Sequence, residues 1–143
     1  MSLEQNKSIV LQAYEAFDQG DIEKGRAFVA PDIIGCVMGS DELKGADAFF
    51  EYALMMRAAF PDGRHTFEDV IAEGDKVVTR GMFSGTHQGE IMGILPTGKQ
   101  VTFSVIHIDR VMDGKVVEHW GQGDTMALMQ QLGVVLSSKS DRD

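Results

Sequence analysis

Cysteine and basic side chains are scarce in this sequence. Cys36 is the one cysteine among 143 residues, which excludes a disulfide within the chain and a zinc site built on cysteine ligands. Thirteen Lys and Arg residues stand against twenty-two Asp and Glu residues, and the formal net charge is -9. A chain of this sign repels nucleic-acid phosphates and anionic lipid. We therefore expect neither nucleic acid nor a membrane among its partners.

Long apolar runs are absent as well. No stretch approaches the roughly 20 apolar residues that span a bilayer, and Met1–Gln5 does not begin an apolar signal region. The expected location is therefore the cytoplasm. No repeat, low-complexity tract or linker interrupts a composition that is 43% hydrophobic, so we expect one compact domain over residues 1–136. Residues 137–143 are polar and charged and are expected to form a flexible tail.

Helical patterns fill much of the first sixty residues. Apolar residues recur at helical spacing over 3–19, behind a capping box formed by Ser2 and Gln5. Asp21 is placed to cap a second, shorter helix that Pro31 would close. The other elements expected in this part are a short strand at 33–38 and a helix at 46–59.

Beyond residue 64 the apolar period changes to two, which is typical of strands. Two turn signals, Gly74-Asp75 and Asp113-Gly114, would join these strands as hairpins. Helices followed by antiparallel strands indicate an α+β fold, with the N-terminal helices packed into the concave face of a curved, mainly antiparallel sheet. Such a cone or barrel leaves a central cavity, which is where small ligands usually bind. The elements predicted here are strands at His65–Glu73, Lys76–Thr86, Thr97–Val111 and Lys115–Gln122 and a last helix at Thr125–Leu132.

Several segments together resemble one family, the SnoaL-like polyketide cyclases of the nuclear transport factor and ketosteroid isomerase superfamily. The resemblance runs from about Asn6 to Gly133 and implies the cone-shaped fold of that superfamily. Its segments are Tyr14–Phe17, Ala30–Asp32, Phe60–Asp62, Glu73–Val78, Gly85–Lys99 and Asp113–Trp120.

The resemblance implies an intramolecular aldol closure of a polyketide ester, without cofactor or metal. In the family an aspartate removes a proton beside a carbonyl, and hydrogen-bond donors, one a histidine, hold the developing enolate. His107 matches the histidine position and inherits the donor role. Gly121 stands where the family has the aspartate, and Val105 replaces a polar residue two places before the histidine.

The last hairpin decides which side chains face the cavity. We interpret it as a bulged type I turn with Gly114 left-handed, which places His107 opposite His119. A two-residue turn would place His107 opposite Trp120 instead. The face expected to line the cavity carries Phe103, Val105, His107, Asp109, Val117, His119 and Gly121. The other face carries Ile106, Ile108, Arg110, Glu118 and Trp120, and we expect a homodimer to form through Ile106, Ile108 and Trp120.

Three residues are the candidates for acid–base chemistry. Asp109 shares a face with His107 and could polarise it, which leaves His107 or His119 as a base that is neutral near pH 7. The alternatives are a solvated Asp109 at the sheet rim and histidines that are hydrogen-bonded structural residues.

Other residues are candidates for ligand binding, and each has a structural alternative. The aromatic residues could be core, Cys36 a buried structural thiol, His87 a loop histidine that fixes local backbone, and Asp124 a helix N-cap. His65, at a strand start, is expected to be solvated. The spacing of the histidines does not support a metal site. The candidates are Tyr14, Phe17, Cys36, Phe50, His87, Phe103, Val105, Gly121 and Asp124.

Three classes of function remain open from the sequence. The first is a cofactor-free cyclase-type enzyme, or a related isomerase or hydratase, that acts on an apolar carbonyl compound. The second is a non-catalytic module that binds or carries a small apolar or polycyclic ligand, and the third is a structural or partner-binding subunit. The sequence leaves catalysis undecided because Gly121 cannot act as a base.

Overall fold

A computed structural model describes residues 2–37 and 40–134. Both the predicted tail at 137–143 and the last residue of the strand predicted at 33–38 lie outside these ranges. The helices are α1 Leu3–Gln19, α2 Ile22–Arg26, α3 Ala46–Ala59 and α4 Thr125–Leu132. The strands are β1 Val29–Cys36, β2 Leu43–Lys44, β3 Arg64–Glu73, β4 Lys76–Thr86, β5 Gln100–Met112 and β6 Lys115–Gly123.

Capping residues fix the ends of α1 and the start of α4 where the sequence predicts them, whereas α2 ends at Arg26, before the predicted close at Pro31. Ser2 and Gln5 form both hydrogen bonds of a capping box at the start of α1, and Gly20, with φ of 70°, ends that helix. Asp124 accepts a hydrogen bond from the Ala127 N–H at 2.9 Å and so begins α4. The bounds predicted for α1, α3 and α4 are confirmed.

Strand β1 begins earlier than predicted. It starts at Val29, directly after α2, because the chain there pairs in parallel with β6, and the Val116 N–H donates to the Phe28 carbonyl at 2.8 Å. The pairing is interrupted between Val29 and Ile34. Pro31 falls within this irregular stretch, where a residue without an N–H is tolerated.

The sheet is mixed and open. Its order is β2-β1-β6-β5-β4-β3, with β1 and β6 parallel and the other neighbours antiparallel. Helix α1 packs against β3 to β6, while α3 packs against β1 and β2. The predicted α+β fold is therefore confirmed, although the sheet does not close into a barrel.

The β5–β6 register differs from the prediction. Asp113 and Gly114 have φ of 51° and 78° and form a two-residue turn. A bulge at Val117 then shifts the pairing by one residue, so that His107 lies opposite Gly121 and not opposite His119. The predicted and observed registers differ by two residues, and a two-residue shift leaves each side chain on its face. The predicted faces are therefore confirmed except at Val117, because Val116 is the buried valine.

In the part of the chain that the structure describes, no helix combines the length and the apolar character that crossing a membrane requires.

Candidate functional site

A cavity lies between the helices and the inner face of the sheet. Its empty volume is about 630 Å³, including its opening to solvent. Aromatic and aliphatic side chains from α1, α3 and β3 to β6 form most of the wall. The described residues that line it include three histidines and two tyrosines but no Lys, Arg, Asp or Glu. Such a lining suits a neutral ligand that is largely apolar.

His119, in the wall of this cavity, forms a buried pair with Asp109, which lies behind it. The two residues lie opposite each other on β6 and β5, and His119 Nδ1 lies 2.7 Å from Asp109 Oδ1. The Tyr14 hydroxyl on α1 donates to the second carboxylate oxygen, Oδ2, at 3.1 Å. Burial raises the pKa of Tyr14 well above its usual value, and the charge of Asp109 adds to this shift. Tyr14 therefore remains a donor.

This geometry decides which nitrogen of His119 is free. Nδ1 faces a carboxylate, which only accepts, so Nδ1 carries a hydrogen, and in the neutral imidazole Nε2 is the nitrogen with the lone pair. The side chain of Asp109 is only 4% exposed, and the alternative of a solvated carboxylate at the sheet rim is wrong.

His107 also lines the cavity, and its imidazole is held neutral. Burial, followed by the like charges of the nearby His119 and His65, lowers the pKa of His107 to about 2. Nδ1 lies 3.3 Å from the Thr79 hydroxyl oxygen. A neutral ring whose Nδ1 accepts that hydroxyl carries its hydrogen on Nε2 and can donate it.

A side chain at position 121, where this chain has Gly121, would begin between the imidazoles of His107 and His119. A Cβ built on Gly121 would lie 3.1 Å from His107 Cδ2 and 3.2 Å from His119 Nε2. Both distances are shorter than the ordinary van der Waals contact of a Cβ with another carbon or with a nitrogen. The free nitrogen of His119 therefore borders the space where a side chain at position 121 would begin.

His65 is placed in the cavity wall, so the expectation that it is solvated is wrong. Its Nδ1 lies 2.8 Å from Asp18 Oδ1, and its backbone N–H donates to Asp18 Oδ2 at 2.8 Å. Its ring centroid lies 5.5 Å from that of His107. Two patterns in the sequence could have indicated this arrangement. Tyr14 and Asp18 are four residues apart on α1, and His65 alternates with Phe67 on β3.

The remaining candidates divide into two groups. Phe17, Phe103, Val105 and Gly121 line the main cavity, and Phe50 lines a smaller apolar cavity that shares Tyr14, Phe17, Phe49 and His119 with it.

Three candidates lie elsewhere. Cys36 is half-buried on β1 and is not part of either cavity wall. His87 is fully buried, and its Nδ1 accepts the Thr97 N–H at 3.2 Å, as expected of a histidine that fixes local backbone. Asp124 is exposed and caps α4. Within residues 2–37 and 40–134, no group of three or more His, Cys, Asp or Glu residues is arranged to hold a metal ion.

Comparison with known proteins gives similarities in sequence and in structure. The family model of the SnoaL-like polyketide cyclases matches residues 8–132. The aklanonic acid methyl ester cyclase DauD of Streptomyces sp. (strain C5) is 27% identical over 128 residues, which cover 87% of this chain and 80% of that protein. The nogalonic acid methyl ester cyclase of Streptomyces nogalater is 27% identical over 120 residues, covering 82% and 90% of the two chains.

Two solved structures are similar over most of their length. AclR from Streptomyces galilaeus superposes with a TM-score of 0.85 at 30% identity, covering 99% of this chain and 88% of its own. IdmH from Streptomyces antibioticus superposes with a TM-score of 0.80 at 34% identity, covering 91% and 99%.

Proposed function

Because the chain belongs to the SnoaL-like polyketide cyclase family, we propose that it closes a ring in a neutral polyketide ester without a cofactor, with His119 as the base. The observation that carries this proposal is the position of His119 Nε2, 3.2 Å from where a Cβ of residue 121 would lie. This nitrogen, which carries a free lone pair in the neutral imidazole, borders the place where the family resemblance puts a carboxylate. We infer that the imidazole takes over the proton abstraction.

The Asp109 carboxylate supports this role of His119. It fixes the tautomer by accepting the Nδ1 hydrogen at 2.7 Å, and it stabilises the imidazolium that forms once Nε2 has taken a proton. Tyr14 saturates the other carboxylate oxygen, which keeps the carboxylate oriented toward the imidazole. The pair is buried, so its electrostatic interaction is not screened by bulk water.

His107 supplies the hydrogen bond to the developing enolate. A neutral imidazole can donate one N–H without competing for the proton that His119 removes, and the lowered pKa of His107 keeps it neutral. Its ring lies 5.4 Å from the ring of His119, nearly stacked on it. A carbonyl group and the adjacent C–H of one substrate can therefore reach both rings.

The wall of the cavity favours an ester over a free acid. None of the described lining residues is a Lys or Arg that could pair with a carboxylate or phosphate, and an unpaired charge in an apolar site is costly. The similar cyclases are named for methyl esters of aklanonic and nogalonic acid. We propose the same substrate class for this chain.

The test uses aklanonic acid methyl ester and nogalonic acid methyl ester as substrates. In D2O, the wild-type chain is expected to exchange the acidic C–H for deuterium and to form the ring-closed product. His119→Gln is expected to lose both activities, while the matched control Asp113→Asn, an exposed position in the turn of the same hairpin, keeps both. Binding of both esters with neither exchange nor closure would contradict the proposal and favour the non-catalytic carrier.

We also propose that the outer face of the sheet forms a homodimer. Ile106, Ile108 and Trp120 are 47%, 38% and 43% exposed there. Arg110 beside them is already paired with Asp75 and Glu118, which leaves little unpaired charge to desolvate. Sedimentation equilibrium at tens of micromolar is expected to show a dimer that Trp120→Lys dissociates, and a wild-type species of only 15.7 kDa would contradict it. The single domain over residues 1–136 and the cytoplasmic location stay predictions.

A further inference from the structure

A second histidine in the cavity wall is paired with an aspartate behind it, and the proton abstraction does not use this pair. We propose that His65, oriented by Asp18, is a further catalytic residue, the acid that protonates the oxygen on which negative charge appears when the ring closes. This inference rests on the proposed function and assigns it a second proton-transfer residue.

Asp18 holds His65 at two points. One carboxylate oxygen accepts from the imidazole Nδ1 at 2.8 Å and the other accepts from the backbone N–H of the same residue at 2.8 Å. Because Nδ1 donates to a carboxylate, Nε2 is the nitrogen that gains and loses a proton. No described residue makes a hydrogen bond to this Nε2, and the ring is part of the cavity wall.

The placement of His65 separates it from the base. Its ring lies 5.5 Å from the His107 ring, and the His107 ring lies 5.4 Å from the His119 ring. His107 therefore stands between the two outer imidazoles, and the Tyr14 ring contacts all three. A substrate whose carbonyl oxygen accepts a hydrogen bond from His107 extends toward a base on one side and an acid on the other.

Ring closure needs a base at one carbon and an acid at the oxygen of the second carbonyl. His119 takes the proton from the carbon beside one carbonyl, and that carbon forms a bond with the carbon of a second carbonyl. The second C=O π bond breaks, and its electron pair moves onto the oxygen. That oxygen takes a proton from Nε2 of protonated His65, whose imidazolium form the Asp18 carboxylate stabilises. The proton gained by His119 returns to His65 through solvent, and both residues are regenerated.

A purely structural pair would tie α1 to β3 and would not affect one chemical step more than another. The test therefore compares hydrogen exchange with ring closure for the polyketide methyl esters named above. His65→Gln keeps a polar amide near the position of Nε2 but cannot transfer a proton. We expect it to retain C–H exchange in D2O at a rate within a few-fold of wild type, and to close the ring about 10²- to 10⁴-fold more slowly.

Further variants separate positioning from packing. His65→Ala should lose closure, and added imidazole should restore part of it because the small base fills the vacated site. Asp18→Asn should slow closure more than exchange, and Asp18→Glu should recover part of the loss. The matched controls are Arg64→Gln and Glu15→Gln, exposed neighbours on the same strand and helix, and both should behave as wild type. Melting temperatures check that every variant folds.

The outcomes distinguish the two proposals. If His65→Gln closes the ring as fast as wild type while His119→Gln does not, the role of His65 is overturned and the proposed function stands. If His65→Gln loses exchange and closure equally, or imidazole restores nothing to His65→Ala, the pair is structural and the acid role is overturned. If the wild-type chain shows neither exchange nor closure, the proposed function is overturned and the role of His65 is overturned with it.

Discussion

The two aspartates that pair with cavity histidines differ in what else each carboxylate holds. The side chain of Asp109 is 4% exposed, and its second oxygen accepts a hydrogen bond from the hydroxyl of Tyr14, another side chain of the site. The side chain of Asp18 is 18% exposed, and its second oxygen accepts a hydrogen bond from the His65 backbone N–H on β3. The first carboxylate therefore serves the chemistry of one imidazole, whereas the second also joins a helix to a strand. Loss of Asp109 should affect turnover more than folding, and loss of Asp18 should affect both.

Exchanging each carboxylate for its amide is the strongest way to test this difference. Asp109→Asn should lower turnover about 10²- to 10⁴-fold, because the amide no longer fixes the tautomer of His119 or stabilises its imidazolium. Asp18→Asn should lower turnover less, about 10-fold, but should also lower the free energy of unfolding by about 1–3 kcal/mol, because a hydrogen bond between elements is weakened. Turnover assays and urea unfolding of both variants measure this. Equal effects of the two substitutions on turnover would remove the distinction between the pairs.

The imidazole between the two pairs should make the protein sensitive to acid. The pKa of His107 in the folded chain, about 2, lies below the value of about 6.5 in the unfolded chain. Between these values the unfolded chain binds a proton that the folded chain does not, so stability falls as the pH is lowered below about 6.5. From pH 6.5 to pH 5 the wild-type chain should lose about 2 kcal/mol more than His107→Gln. Urea unfolding at both pH values measures this, and parallel losses in the two chains would mean that His107 titrates normally.

The smallest expected effect comes from removing the hydroxyl that distinguishes Asp109 from Asp18. Tyr14→Phe keeps the ring that contacts the three imidazoles and deletes the donor to Asp109 Oδ2. Turnover should fall about 10-fold and stability by about 1 kcal/mol, since one acceptor is left unpaired. Steady-state kinetics and thermal unfolding check it. Turnover at the wild-type level would show that the hydroxyl does not orient the carboxylate.

Local signals in the sequence predict most of the fold and one wall of the site. Cap residues such as Ser2, Gly20 and Asp124 fix helix ends through hydrogen bonds to residues close by in the chain. The alternation of buried and exposed residues along β5 decides which face carries His107 and Asp109. That alternation survives even a wrong register, because the error amounts to two residues.

Contacts between distant parts of the chain are what the sequence does not predict. His65 meets Asp18 because α1 packs across β3, and the local patterns around the two residues indicate a face for each but not that they pair. The bulge at Val117 likewise depends on how β6 pairs with both of its neighbours, β5 and β1. His119 and Gly121 share a face of β6 by alternation, but the close approach of the imidazole Nε2 to position 121 depends on the ring orientation and requires the three-dimensional structure.

In the proposed function the His119 imidazole replaces a carboxylate at position 121 as the base that abstracts the proton. The most direct measurement is ester turnover by His119→Ala and by the double variant His119→Ala/Gly121→Asp. Removing the imidazole should abolish turnover and free the space beside position 121, and the introduced aspartate should then restore a measurable part of the activity. Turnover by His119→Ala at the wild-type rate would contradict the account.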